Sequence, residues 1–273
     1  IYNMVGRFTG SAGALFSVFP SLMQTYFHLE IVDSYRPIFI TYTVVAIATA
    51  IIYSLLSNQV EIVTSIEKKS ESTERSKLSP RSRSIITKLS FLIGIDSFAG
   101  GFVLQSIISY WFYTRYGVPL SELSVIFFTT GVLSAVAFIF AGRLADRIGA
   151  INTMVFTHIP SSIFLILVPL APSFVLSLTL YLVRQPLSLM DVPARQSYVV
   201  SVVHPSERTL AAGMSNLARN SAQWISPSLS GLLMQFVSLS VPFLVCGTLK
   251  IAYDLSLYFN FKKIKESDIE SKF

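Results

Sequence analysis

The chain has 273 residues, 52% hydrophobic and 13% charged, with a formal net charge of +6 and a mean hydropathy of +0.60. A water-soluble domain carries about 25% charged residues, so this chain lacks the polar groups to cover itself in water and takes lipid as its solvent. The basic residues lie in loops between apolar runs, which argues against a nucleic-acid partner, and the single Cys246 excludes a disulfide frame or a thiolate metal site.

A hydrocarbon core of about 30 Å needs about 20 apolar residues per helix. Runs of that kind are predicted at 4–25, 37–57, 86–113, 122–141, 151–171, 173–194, 208–235 and 238–261, an all-α polytopic bundle of eight spans. The first span carries Gly6, Gly10, Gly13 and Pro20. After the second comes a charged, serine-laced stretch from Glu61 to Lys88, with no means of building a core. It is read as a linker over 58–85.

Ionisable residues at mid-bilayer are functional candidates by default, because each costs several kcal/mol to insert. The third span holds Asp96 among Gly94, Gly100 and Gly101, with Gln105 farther along. A transport role and a structural hydrogen bond are both open for Asp96. Between the fourth and fifth spans sits a short hairpin, Ala141-Gly142-Arg143-Leu144-Ala145-Asp146-Arg147-Ile148-Gly149. Gly142 and Gly149 let two helix ends approach closely. Asp146 suits the exposed N–H groups of a neighbouring helix start, and Arg143 and Arg147 suit carboxylates or lipid phosphate.

The sixth span holds Arg184, and at its end Asp191 and Arg195, one helical turn apart, form a candidate gate pair. The seventh holds Arg219. In the eighth, Lys250 and Asp254 have the same spacing and are expected to neutralise each other as a structural pair. Two mid-span carboxylates for three cations leave Arg184 or Arg219 to face a water-filled cavity. The three histidines, His28, His158 and His204, are scattered, so no metal constellation and no cofactor is expected.

Orientation follows from lysine and arginine counts. With the linker in the cytoplasm, the inside segments hold Lys68, Lys69, Arg75, Lys77, Arg81, Arg83, Lys88, Arg143, Arg147, Arg195, Arg208, Lys262, Lys263, Lys265 and Lys272. The outside loops hold only Arg36 and Arg115. Both ends of the chain are then cytoplasmic and the membrane is the plasma membrane.

The Gly142–Gly149 string resembles motif A of the major facilitator superfamily, which joins the second and third helices of each six-helix half and latches the cytoplasmic side. The basic tail of that motif is replaced here by Ala150-Ile151-Asn152. The resemblance makes these spans helices five to twelve of a twelve-helix bundle, with four helices expected before them. Residues 1–57 would close the first half, 58–85 join the halves, 86–262 form the second half, and 263–273 a tail. Arg184 then lies on helix ten, where the equivalent position in helix four carries an arginine associated with proton coupling. By the same resemblance Asp96 falls on cavity-lining helix seven, Arg219 on helix eleven, and the Lys250–Asp254 pair on peripheral helix twelve. The glycines of the first span resemble the glycine-rich helix five of drug:proton antiporters.

The function expected is secondary transport of a small solute by alternating access, with protons as candidate coupling ion, efflux as candidate direction, and a monomer at full length. A channel-type or structural membrane protein, or a transport-inactive fragment, is the alternative. An enzyme is not expected, since no nucleophile–base cluster is visible.

Overall fold

The computed structural model describes residues 2–56 and 78–262. Residues 58–77 of the predicted linker and the tail 263–273 lie outside the described residues. Among the described residues every regular element is a helix: α1 (Tyr2–Phe16), α2 (Phe19–Phe27), α3 (Ile31–Ser54), α4 (Pro80–Gly101), α5 (Gln105–Tyr116), α6 (Leu120–Ile148), α7 (Ala150–Leu167), α8 (Phe174–Leu189), α9 (Asp191–Ser201), α10 (Arg208–Phe236) and α11 (Val241–Phe261).

These helices make eight rods in the order of the eight predicted spans, but three rods are broken in two. Pro20 sits in the first turn of α2 and has no N–H to continue the ladder from α1. The chain leaves helix at Phe102 after Gly100-Gly101 and re-enters it at Gln105. Pro193 cannot donate to the carbonyl of Leu189, and the hydrogen-bond ladder breaks there, between α8 and α9. Five stretches are long and apolar enough to cross a membrane: Ile31–Ser54, Ser82–Tyr116, Leu120–Ile148, Ala150–Leu170 and Val241–Phe261. The other three rods are either interrupted or, like α10 with Asn216, Arg219, Asn220 and Gln223, polar along one side.

Packing comes in two apolar layers. One joins Ile86, Leu89 and Ile93 of α4 to Met154, Tyr198, Tyr253 and Leu257. The other gathers Phe102, Trp111, Phe112, Leu165, Tyr181 and Phe243 around a cluster of edge-on aromatic rings. The positions between the layers on α4, α7, α8–α9 and α11 are where the buried charges lie.

Two glycines set the helix approaches that frame the site. A Cβ on Gly101 would overlap Ser226 of α10, and one on Gly131 would overlap Ser11 of α1. Ser17, in the turn after α1, also hydrogen-bonds Ser124 of α6. The broken end of α4 is repaired from α10, whose Ser230 hydroxyl donates to the Phe102 carbonyl at 2.8 Å. α3 is exposed along nearly its whole length, held to α2 by Gln24 Nε2 donating to the buried Ser34 Oγ at 2.8 Å.

Helix α4 starts at Pro80, earlier than the apolar run at 86, because Ser79 caps it: its Oγ accepts from the Ser82 N–H at 3.3 Å. The Ser79 N–H in turn donates to Glu207 Oε1 at 2.6 Å, tying the α9–α10 connection to the head of α4. Burial pushes the Glu207 carboxyl up, but hydrogen bonds from Ser82, Ser79 and the His204 backbone outweigh it and hold it below the ordinary 4.5.

Candidate functional site

Six ionisable side chains from four helices meet between the apolar layers, all buried: Asp96 of α4, His158 of α7, Asp191 and Arg195 of α9, and Lys250 and Asp254 of α11. Asp96 is the hub. Its Oδ1 accepts from Lys250 Nζ at 2.7 Å and its Oδ2 from Arg195 Nη1 at 3.0 Å. Arg195 also lies 3.6 Å from Asp191 Oδ2, one turn earlier on α9. His158 Nδ1 bonds both carboxylate oxygens of Asp254, at 2.9 and 3.0 Å, and its Nε2 lies 3.2 Å from Lys250 Nζ.

The partners assign the tautomer. A lysine ammonium has only donors, so Nε2 must accept from Lys250, and Nδ1 carries the proton given to Asp254. Three carboxylates thus face Lys250, Arg195 and the His158 imidazole.

Against this network lies a cavity of ≈ 570 Å³. It is bounded on one side by Gly10 and Ser11 of α1 and on the other by α5, α6, α8 and α11. Its polar wall carries Gln105, Thr130, Ser134, Arg184, Gln185 and Ser188; Lys250 is the residue it shares with the network. Gln185 Nε2 donates to the Tyr181 hydroxyl at 2.9 Å. Ser161 of α7 donates to the Arg184 carbonyl at 3.1 Å, holding this stretch of α8 beside Pro186.

The structure sorts the sequence-predicted residues. Gln105 and Arg184 line the cavity; Asp96 stands behind its wall, holding Lys250. Arg219 does not line it, and borders instead a smaller cavity of ≈ 270 Å³ beside Arg195, Gln196 and Asn216. Asp191 and Arg195 are paired as spaced, and Arg195 is also wired to Asp96. The expected Lys250–Asp254 pair is corrected: Lys250 turns to Asp96 and His158, and Asp254 takes the His158 N–H. Helical spacing brought the two to one face, but α4 and α7 offered each a closer partner.

At the hairpin, Gly149 adopts φ +85°, a conformation that favours glycine, between α6 and α7. A Cβ at Gly142 would meet nothing within 4 Å, so the close helix approach expected there is not formed among the described residues. Arg143, Asp146 and Arg147 are exposed. The residue that sequence reasoning missed is His158. Its only signal was a histidine eight positions into an otherwise apolar span; with its partners on α4 and α11, no local motif marks it.

A family model described as Major Facilitator Superfamily matches residues 2–191 and again residues 90–271. Among curated proteins the chain is similar to an uncharacterized membrane protein of Saccharomyces cerevisiae, 25% identical over 284 aligned positions. That match covers 94% of the chain and 63% of the relative, so the chain spans less than two thirds of the relative's length.

Proposed function

The chain belongs to the major facilitator superfamily, a family of multi-pass membrane transporters rather than enzymes, and on that premise we propose that it carries a small solute by alternating access, driven by protons. The observation that carries this reading is the cavity of ≈ 570 Å³ between α1 on one side and α5, α6, α8 and α11 on the other, with Lys250 common to the cavity wall and the buried charge network. Rocking α1 against α6 about the Gly131–Ser11 contact changes which side the cavity faces. In this reading the membrane is the plasma membrane, both ends of the chain face the cytoplasm, and the Gly142–Gly149 hairpin lies on that side.

The network supplies a place for the proton. His158 is faced by Asp96 from α4, by Lys250, Tyr253 and Asp254 from α11, and through Asp96 by Arg195 and Asp191 of α9. A proton arriving at Nε2 turns that atom from acceptor to donor, and the Lys250 hydrogen bond to it is lost. The new N–H then competes for Asp96 Oδ1, 3.8 Å away. Both changes loosen Lys250, and with it one wall of the cavity.

The test is the full-length protein in proteoliposomes loaded with pyranine, given a panel of neutral, cationic and anionic solutes. Solute-evoked proton flux that saturates, with counterflow of labelled solute, is expected. His158→Gln should abolish proton-driven accumulation and keep counterflow. Flux that never saturates and shows no counterflow would mean a channel, and overturn the reading.

A further inference from the structure

Arg184 is 5% exposed and lines the cavity, yet it makes no ion pair among the described residues. Its Nη2 reaches the Ser188 hydroxyl at a long 3.5 Å, and its buried Nε has no hydrogen-bond partner. A buried guanidinium left this way is costly, and such groups are ordinarily paired with a carboxylate or phosphate. The second cation on the wall is Lys250, and the described lining residues include no aspartate or glutamate. Asp96, the carboxylate that holds Lys250, has both oxygens already engaged by Lys250 and Arg195.

Resting on the transport reading, we propose that the cavity takes an organic anion. Its carboxylate, phosphate or sulfonate pairs with the Arg184 guanidinium, and its apolar body lies against Val103, Ile108, Phe127 and Leu189. Ser188, Gln185 and Tyr181 supply further donors around the same wall. The volume suits a small organic molecule, since ligand pockets run to about 300–1,000 Å³. Gly100 adds room beside the ammonium: a Cβ there would stand 4.0 Å from Lys250 Nζ. An anion entering next to Lys250 competes with Asp96 for it, so binding reaches the network through the same lysine that the proton loosens.

The test needs neither a known solute nor transport. In the full-length protein with Cys246→Ala, Ser188→Cys places a thiol one turn from Arg184. Its reaction rates with an anionic and a cationic methanethiosulfonate of similar size are compared with those of a free thiol in solution. Any effect of Arg184 on the thiol itself cancels in the ratio. The anionic reagent should be favoured about ten- to a hundredfold over its preference in solution, the range a focused cationic cleft gives. Arg184→Gln should remove most of that preference and Arg184→Lys retain it. A ratio no different from solution, or one favouring the cation, overturns the proposal while leaving alternating access untouched. The preference should also survive in phosphatidylglycerol nanodiscs; its loss there would assign the site to a lipid headgroup instead. Every solute transported in the pyranine screen should carry negative charge, and saturable transport of a neutral or cationic one through this cavity would equally overturn it.

Discussion

Removing Lys250 tests the charge network most directly. Lys250→Met fills much of the volume of the lysine stem but leaves Asp96 Oδ1 and His158 Nε2 without their donor. Stripping one partner from a buried pair costs about 3–5 kcal/mol, because the other charge stays buried. Asp96 keeps Arg195 at 3.0 Å, which places the expected loss near the lower end, about 3 kcal/mol. For a chain of this size that lowers the unfolding temperature by about 6–12 °C. The second substitution decides which carboxylate matters. Asp96→Asn added to Lys250→Met removes the orphaned charge and should recover about 2 kcal/mol, a coupling typical of residues in contact. Asp254→Asn added instead should recover nothing, because Asp254 is held by His158 and not by Lys250. Cys246 reports the transition: it is fully buried and the chain's single cysteine, so a thiol-reactive dye in detergent reads unfolding with no engineered probe. Recovery through Asp254→Asn rather than Asp96→Asn would refute the assignment and restore the i, i+4 pair that spacing alone suggests.

Further outcomes follow from the helix contacts and the loop seam. Gly131→Val should drive α1 off α6 by overlap with Ser11, reducing transport at least about tenfold while Cys246 stays protected; Ser11→Gly should restore part of it, and full transport by Gly131→Val alone would show that the contact does not frame the moving interface. Glu207→Gln should lower the unfolding temperature by a few °C at pH 7. The Glu207 carboxyl is held below its ordinary 4.5 in the folded chain, so its stabilisation is present above that value and lost as pH falls through the lower folded one. Unfolding curves of the two proteins should therefore converge below pH 4.5, and a gap that persists in acid would contradict the charge-assisted bond to Ser79. Single cysteines at Leu120 and Asp146, at opposite ends of α6, should be labelled from opposite sides of the membrane in a Cys246→Ala background. Labelling of both from outside intact cells would overturn the orientation.

Much of this protein was legible in the chain itself. Membrane residence follows from composition, because 13% charge cannot solvate 273 residues. The helical class follows from the bilayer, where each span must satisfy its own backbone hydrogen bonds. The helix breaks were not legible there: the apolar runs 4–25 and 173–194 read as continuous spans, and Pro37, Pro160, Pro186 and Pro227 stand inside unbroken helices, so the missing N–H of Pro20 or Pro193 does not by itself mark a break. The family was legible in the Gly142–Gly149 string, a short run of neighbours carrying its own signature. Arg184 was also within reach, because an arginine amid an apolar run is conspicuous one residue at a time.

What tertiary structure decided is who partners whom. Lys250 and Asp254 share a helix face at a spacing that suits an ion pair, yet a buried lysine takes the nearest charge in space, and α4 delivers Asp96 to 2.7 Å. His158 sits in no local motif, because its donors and acceptors arrive from residues about a hundred positions away. Arg184 and Arg219 read alike in the chain, but the rotation of α8 and α10 sends one to the large cavity and the other to a smaller one. Periodicity fixes which residues share a face of one helix; it holds no information on how eight helices are turned toward one another, and that turning determines which buried charge is left for a ligand.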